Sequence, residues 1–157
     1  MNYVSALLIC VIAAVVEGFC AGRDPMAQLS EIRQPRWSPP KLVWVLIGIA
    51  WYGICFVALS RLIVLWPGSR LPVMLLIVLM LANGGANIFQ FRMKRLDLAF
   101  FFLLPYWLVL GAFIGTAWPF DRLAGALFMA YAIYQLYAAA WAHALWRLNS
   151  SPFRSPR

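Results

Sequence analysis

The sequence predicts an all-α integral membrane protein, a single bundle of five transmembrane helices. Two observations carry this. The 157 residues are 64% hydrophobic and only 11% charged, whereas a soluble domain is nearer half apolar and a quarter charged. The apolar residues also fall into five long runs, each about as long as the roughly 20 residues a helix needs to cross a bilayer core. Strands are excluded because open strands leave N–H and C=O groups unpaired in lipid, and a closed barrel needs alternating segments of about ten residues. These runs do not alternate.

The first run, Tyr3–Gly22, lacks a basic leader: its first charge is Glu17 and the first cation is Arg23. It is also longer than a signal-peptide core, so it reads as a retained helix. The second, Leu42–Trp66, ends at Trp66-Pro67-Gly68, and the third, Pro72–Phe91, starts on a proline and ends at Arg92-Met93-Lys94-Arg95. The fourth, Leu98–Trp118, closes at Pro119. The fifth, Leu123–Trp146, follows Asp121, a suitable N-cap. Three of the links are short, which predicts antiparallel neighbours. The first link, Arg23 to Lys41, is long, polar and proline-bearing, and is the only segment outside the spans large enough to act as a lid. No linker or repeat divides the chain. It reads as one domain over 1–149 with a short basic tail, 150–157.

The formal charge of +8 does not indicate nucleic acid, because the cations sit between apolar runs. It reads instead as topology and contact with lipid headgroups. Ten cations (Arg23, Arg33, Arg36, Lys41, Arg92, Lys94, Arg95, Arg147, Arg154, Arg157) fall on one side and three (Arg61, Arg70, Arg122) on the other. The positive-inside rule then puts the N-terminus outside and the C-terminus in the cytoplasm, in what is expected to be a bacterial membrane. Trp44, Trp66, Trp118 and Trp146 lie near span ends and read as interfacial anchors. Cys10, Cys20 and Cys55 read as small buried hydrophobes.

Catalytic constellations are missing from the sequence. His143 is the sole histidine, so no histidine metal cluster is expected, and no GxSxG, P-loop or GxGxxG occurs. Glu17 is the one acid within a span. It reads first as reaching the nearby interface or pairing with Arg23, and otherwise as a functional intramembrane acid. Arg61 reads as snorkelling toward Arg70 and the outer face. Gly111-xxx-Gly115 and the Ala82–Ala86 stretch are small-residue notches for helix packing, within one chain or between two. Asn83, Asn87 and Gln90 share one helix face, and Tyr131, Tyr134, Tyr137 and Trp141 share another. The two faces either line a pocket for a flat, mostly apolar ligand or hydrogen-bond the bundle together.

Five pieces in order resemble the TspO/MBR family, the tryptophan-rich sensory proteins related to the mitochondrial translocator protein (the peripheral-type benzodiazepine receptor). Pro35-Arg36-Trp37-Ser38-Pro39-Pro40 resembles the family's KPxWxPP. Tyr52 and Ala58-Leu59-Ser60 follow at family spacing. Asn83, Phe89-Gln90-Phe91 and Met93-Lys94-Arg95 match the third span. Ala124-Gly125 with Tyr131, and Trp146-Arg147-Leu148-Asn149, match the fifth. The resemblance implies a TspO-like five-helix bundle, often a homodimer, whose pocket opens toward the first link. The implied ligand is a planar hydrophobic small molecule, a tetrapyrrole such as a porphyrin or a sterol-like compound, and the implied role is transport, sensing or regulation. The other class of role is a structural or regulatory subunit that keeps the fold without a ligand. No enzyme activity is expected and no cofactor beyond a bound porphyrin or haem-like tetrapyrrole; the partners are lipid, the ligand and a second copy.

By position, the ligand site comprises Trp37 in the lid, Tyr52, Gln90, Tyr134 and Ala138. Gly48, Ala86 and Asn87 join them, with Trp51 near the face of Gly48. Gly48 and Ala86 stand where the family carries large aromatic rings, and Tyr134 stands at a family tryptophan. The sterol-motif tyrosine of the animal proteins falls at His143. The cavity is therefore expected to be enlarged, and is either filled by ligand or collapsed by Trp51, Phe89 and Tyr134.

Overall fold

The computed structural model describes residues 2–150; Arg154, Arg157 and nearly all of the basic tail lie outside them. The helices are α1 (Asn2–Ala21), α2 (Pro25–Glu31), α3 (Lys41–Val64), α4 (Arg70–Asn87), α5 (Leu96–Phe101), α6 (Leu103–Ala117) and α7 (Arg122–Asn149). Five segments are long and apolar enough to cross a membrane: Tyr3–Ala21, Lys41–Val64, Arg70–Arg92, Leu96–Ala117 and Arg122–Asn149. They match the five runs to within a few residues.

The helix ends follow local chemistry. Gly22 adopts φ +87° just after α1, and its N–H reaches the Gly18 carbonyl at 3.2 Å, a left-handed stop that glycine takes without strain. Asp24 then caps α2 through Ala27 N–H at 2.8 Å, with Pro25 in the first turn. The fourth span is broken at Phe102 into α5 and α6. Pro105 lies three residues on and has no N–H to give the Phe101 carbonyl, so the ladder lapses there. Arg95 forks onto Asp97 at 2.9 and 2.7 Å at the start of α5. Asp121 caps α7 through Ala124 N–H at 2.8 Å, as its position predicts.

Consecutive spans are neighbours: α3 on α4, α4 on α6, α6 on α7. The ring closes with α7 against α3, and α1 packs on both α3 and α4. Gly84 makes the α1–α4 approach possible: a Cβ placed there would lie 3.2 Å from the Glu17 Cα. The Ala82–Ala86 notch thus works inside one chain. Gly111 and Gly115 do not, since both are exposed and a Cβ on either would meet nothing within 4 Å.

The two halves of the bundle are packed differently. Phe113 and Phe128 meet edge to face at 4.4 Å and are fully buried with Leu59, Leu62, Leu76, Leu79, Met80 and Leu110. All belong to the half that holds the α3–α4 and α6–α7 links. The other half, beneath the first link, is hollow.

Arg61 reaches the end of the bundle that holds the α3–α4 and α6–α7 links, where its Nε donates to Asp121 Oδ2 at 2.7 Å, tying α3 to the cap of α7. Two readings from the sequence change. Trp44 is not an interfacial anchor, because it packs on Trp141 at 4.7 Å under the lid. Cys10 and Cys55 are buried, but Cys20 is half-exposed.

Candidate functional site

The hollow half contains a cavity of about 420 Å³, open on one side, within the usual range for small-molecule sites. Its walls come from every helix. α1 supplies Glu17, α3 Trp44, Gly48 and Trp51, α4 Asn83, Ala86 and Asn87, and α7 Tyr131, Tyr134, Gln135, Ala138 and Trp141. Gln90 and Phe91 come from a π turn, Ile88–Arg92, that continues α4. In that turn the Met93 N–H reaches back five residues to the Ile88 carbonyl at 2.9 Å. The wider turn re-aims the side chains at the end of α4, a device common at functional sites.

Seven of the nine residues named from the sequence line this one cavity: Gly48, Trp51, Ala86, Asn87, Gln90, Tyr134 and Ala138. The rings have not collapsed into it. Trp51 is buried against Tyr131, the rings tilted by 30° with centroids 4.5 Å apart, and Phe89 packs on Phe102 at 5.4 Å. Gly48 faces open space, with nothing within 4 Å of a Cβ built there.

The remaining two lie elsewhere. Tyr52 is outside the lining, and its hydroxyl donates to Glu17 Oε2 at 2.6 Å. Trp37 is about half exposed and its ring sits edge-on to Tyr137 at 5.4 Å. The lid reaches the cavity instead through Pro25 and Leu29 of α2. Leu29 is buried between Trp141 and Leu145, because a short amphipathic helix must hide its apolar face. His143 also lies outside the lining, against Phe100 and Trp146.

Glu17 departs most from its expected place. It neither snorkels nor pairs with Arg23 among the described ion pairs. Its carboxylate accepts from Tyr52, from Asn83 Nδ2 at 3.1 Å and from Asn87 Nδ2 at 3.2 Å. The spacing of Asn83 and Asn87 showed a shared face; only the packing of α1 on α4 shows that the face meets an acid. Arg92, nearby, donates to the Phe19 carbonyl and is outside the cavity.

A second polar chain is buried deeper. Tyr106 and Tyr131 hydroxyls are 2.8 Å apart, and Gln135 Nε2 donates to Tyr131. Among the described residues, three buried polar side-chain atoms have no partner: Trp44 Nε1, Trp51 Nε1 and Gln135 Oε1. All three side chains line the cavity. Buried polar groups are normally satisfied, and these three atoms are exceptions within side chains of the cavity wall.

The lid is latched to α7. Asn149 accepts from Arg33 N–H and donates to Arg33 C=O, both at 3.0 Å. Trp141 Nε1 donates to Ser38 Oγ at 3.0 Å, and the Tyr137 hydroxyl to the Trp37 carbonyl at 3.3 Å. Each neutral hydrogen bond is worth about 0.5–1.5 kcal/mol. Asn149→Ala removes two of them and is expected to raise amide exchange in α2 by roughly 5–30-fold, with α6 unchanged. Hydrogen-exchange mass spectrometry reads this directly; unchanged exchange in α2 would show that the latch does not hold the lid.

The TspO/MBR family model matches residues 6–147, nearly the whole chain. No curated protein matches it.

Proposed function

Because the chain belongs to the TspO/MBR family, we propose that it binds a planar, largely apolar small molecule, a tetrapyrrole or a sterol-like compound, in the intramembrane cavity. The binding serves transport, sensing or regulation rather than turnover. One observation carries this reading: a cavity of about 420 Å³ stays open beneath a latched lid, lined by Trp44, Trp51, Tyr131, Tyr134 and Trp141. Flat aromatic walls suit a flat ligand.

The test is a porphyrin titration of the purified protein, following tryptophan fluorescence and the Soret band. Saturable quenching with a shifted Soret band is the expected result. No saturable change would favour the other reading, a structural or regulatory subunit, for which the small residues Gly48 and Ala86 speak.

The bundle is oriented with its N-terminus outside and C-terminus in the cytoplasm, on the strength of the ten-to-three division of cations. Reporter fusions at Arg157 and in the link 67–71 are expected on opposite sides, with Arg157 cytoplasmic. The outward-facing Gly111 and Gly115 supply a surface for a second copy of the chain.

A further inference from the structure

The geometry points to a cationic ligand: the cavity takes a planar molecule that carries a protonated nitrogen, which pairs with the Glu17 carboxylate. The inference rests on reading this cavity as a ligand site and names the charge of its occupant.

Among the described residues, Glu17 is the only Asp, Glu, Lys, Arg or His in the cavity lining. A carboxylate offers about four acceptor positions. Three are used, by Tyr52, Asn83 and Asn87, and every one of those donors is neutral. They hold the group in place and leave its charge without a counter-ion. Carboxylates within a membrane are costly unless paired or solvated, and are by default functional. Arg92, in the π turn after α4, is turned to the Phe19 backbone carbonyl and is not in the cavity lining.

The rest of the wall agrees in sign. Gln135 carries a buried oxygen with no donor. The ring faces of Trp51 and Tyr134 attract cations through their quadrupoles. Among the described residues of the lining, no side chain carries a positive charge. A neutral polycycle fits the space but leaves Glu17 uncompensated. A cationic one of the same shape compensates it.

The test uses a matched pair of planar probes at neutral pH, 9-aminoacridine, which is protonated, and acridine, which is neutral. Both are titrated into the full chain in non-ionic detergent, with partition into empty micelles subtracted. Wild type is expected to bind 9-aminoacridine about 10–100-fold more tightly, the range of a hydrogen bond to a charged group. Glu17→Gln is expected to lose that preference and to bind the two probes alike. The variant keeps an oxygen for Tyr52 and Asn83, and Asn87 can present its own oxygen to the new amide, so the bundle is expected to fold. Glu17→Asp is expected to retain the preference.

Equal binding of the two probes by wild type would overturn the inference and leave the ligand site standing. A preference that survives Glu17→Gln would overturn it as well. If neither probe binds, the inference falls, and porphyrin binding then decides separately whether the cavity is a ligand site. The wild-type comparison stands by itself should Glu17→Gln fail to fold.

Discussion

Gly48→Trp is expected to weaken porphyrin binding at least about tenfold, or roughly 1.4 kcal/mol, while leaving the bundle folded. Gly48 lies in the cavity wall and has open space where a side chain would begin. The side chain therefore starts into open space and enters the volume a ligand needs. Overpacking, which typically costs about 1–3 kcal/mol, is expected only where space is already taken. Ala86→Phe approaches the same volume from α4 and is expected to act in the same direction. The comparison is made by titration, beside a thermal melt of each variant. A ligand at 100 times its Kd raises stability by about 2.7 kcal/mol, so a blocked variant also loses the porphyrin-induced shift in Tm. A folded Gly48→Trp protein that binds porphyrin as tightly as wild type would place the ligand elsewhere.

Gly84→Val is expected to destabilise the bundle by about 1–3 kcal/mol. Even a single Cβ at this position lies 3.2 Å from the Glu17 Cα and 3.6 Å from its backbone N. Backbone cannot rotate aside as a side chain does, so α1 must move off α4. That movement also draws Glu17 away from Asn83 and Asn87, so the loss extends to its hydrogen bonds. Gly85, one residue on, has nothing within 4 Å of a Cβ, and Gly85→Val is the matched control, expected to cost less. Equal melting temperatures for the two variants would mean that α1 and α4 are not in close register at Gly84.

The spans and their order were legible in the chain because lipid imposes one rule on every helix. An apolar run of bilayer length must form its hydrogen bonds internally, whatever it packs against. The breaks at Pro67 and Pro119 and the cap at Asp121 were legible for a related reason, since each acts on its own few residues. Asp24-Pro25 carried a helix-start signal of the same local kind. The polar character of the first link hid the short helix that follows it.

The candidate site was legible in part. Gly48, Ala86, Gln90, Tyr134 and Ala138 were placed by a likeness between sequences, and they line a shared cavity. Trp37 lies in the lid, as its motif implies, but outside the cavity lining, because the prolines around it set the path of the chain and not the direction of its ring. Glu17, the lone charge among the described residues of the wall, was read first as reaching the interface or pairing with Arg23. Its position along α1 allowed a route to the interface, and nothing within α1 shows that Tyr52 and two asparagines stand opposite.

What the sequence determined by itself was the membrane class, the five spans and the family likeness. All of these depend on properties that add along the chain: hydrophobicity, helix length and motif order. Tertiary structure alone decided that one half of the bundle is solid and the other hollow, that Arg61 ends on Asp121, that a π turn re-aims Gln90, and that Glu17 faces neutral donors. These depend on which helix faces meet, and hence on residues 35 to 70 positions apart in the chain. Close approach at a glycine and the pairing of a buried charge exist only once two helices touch.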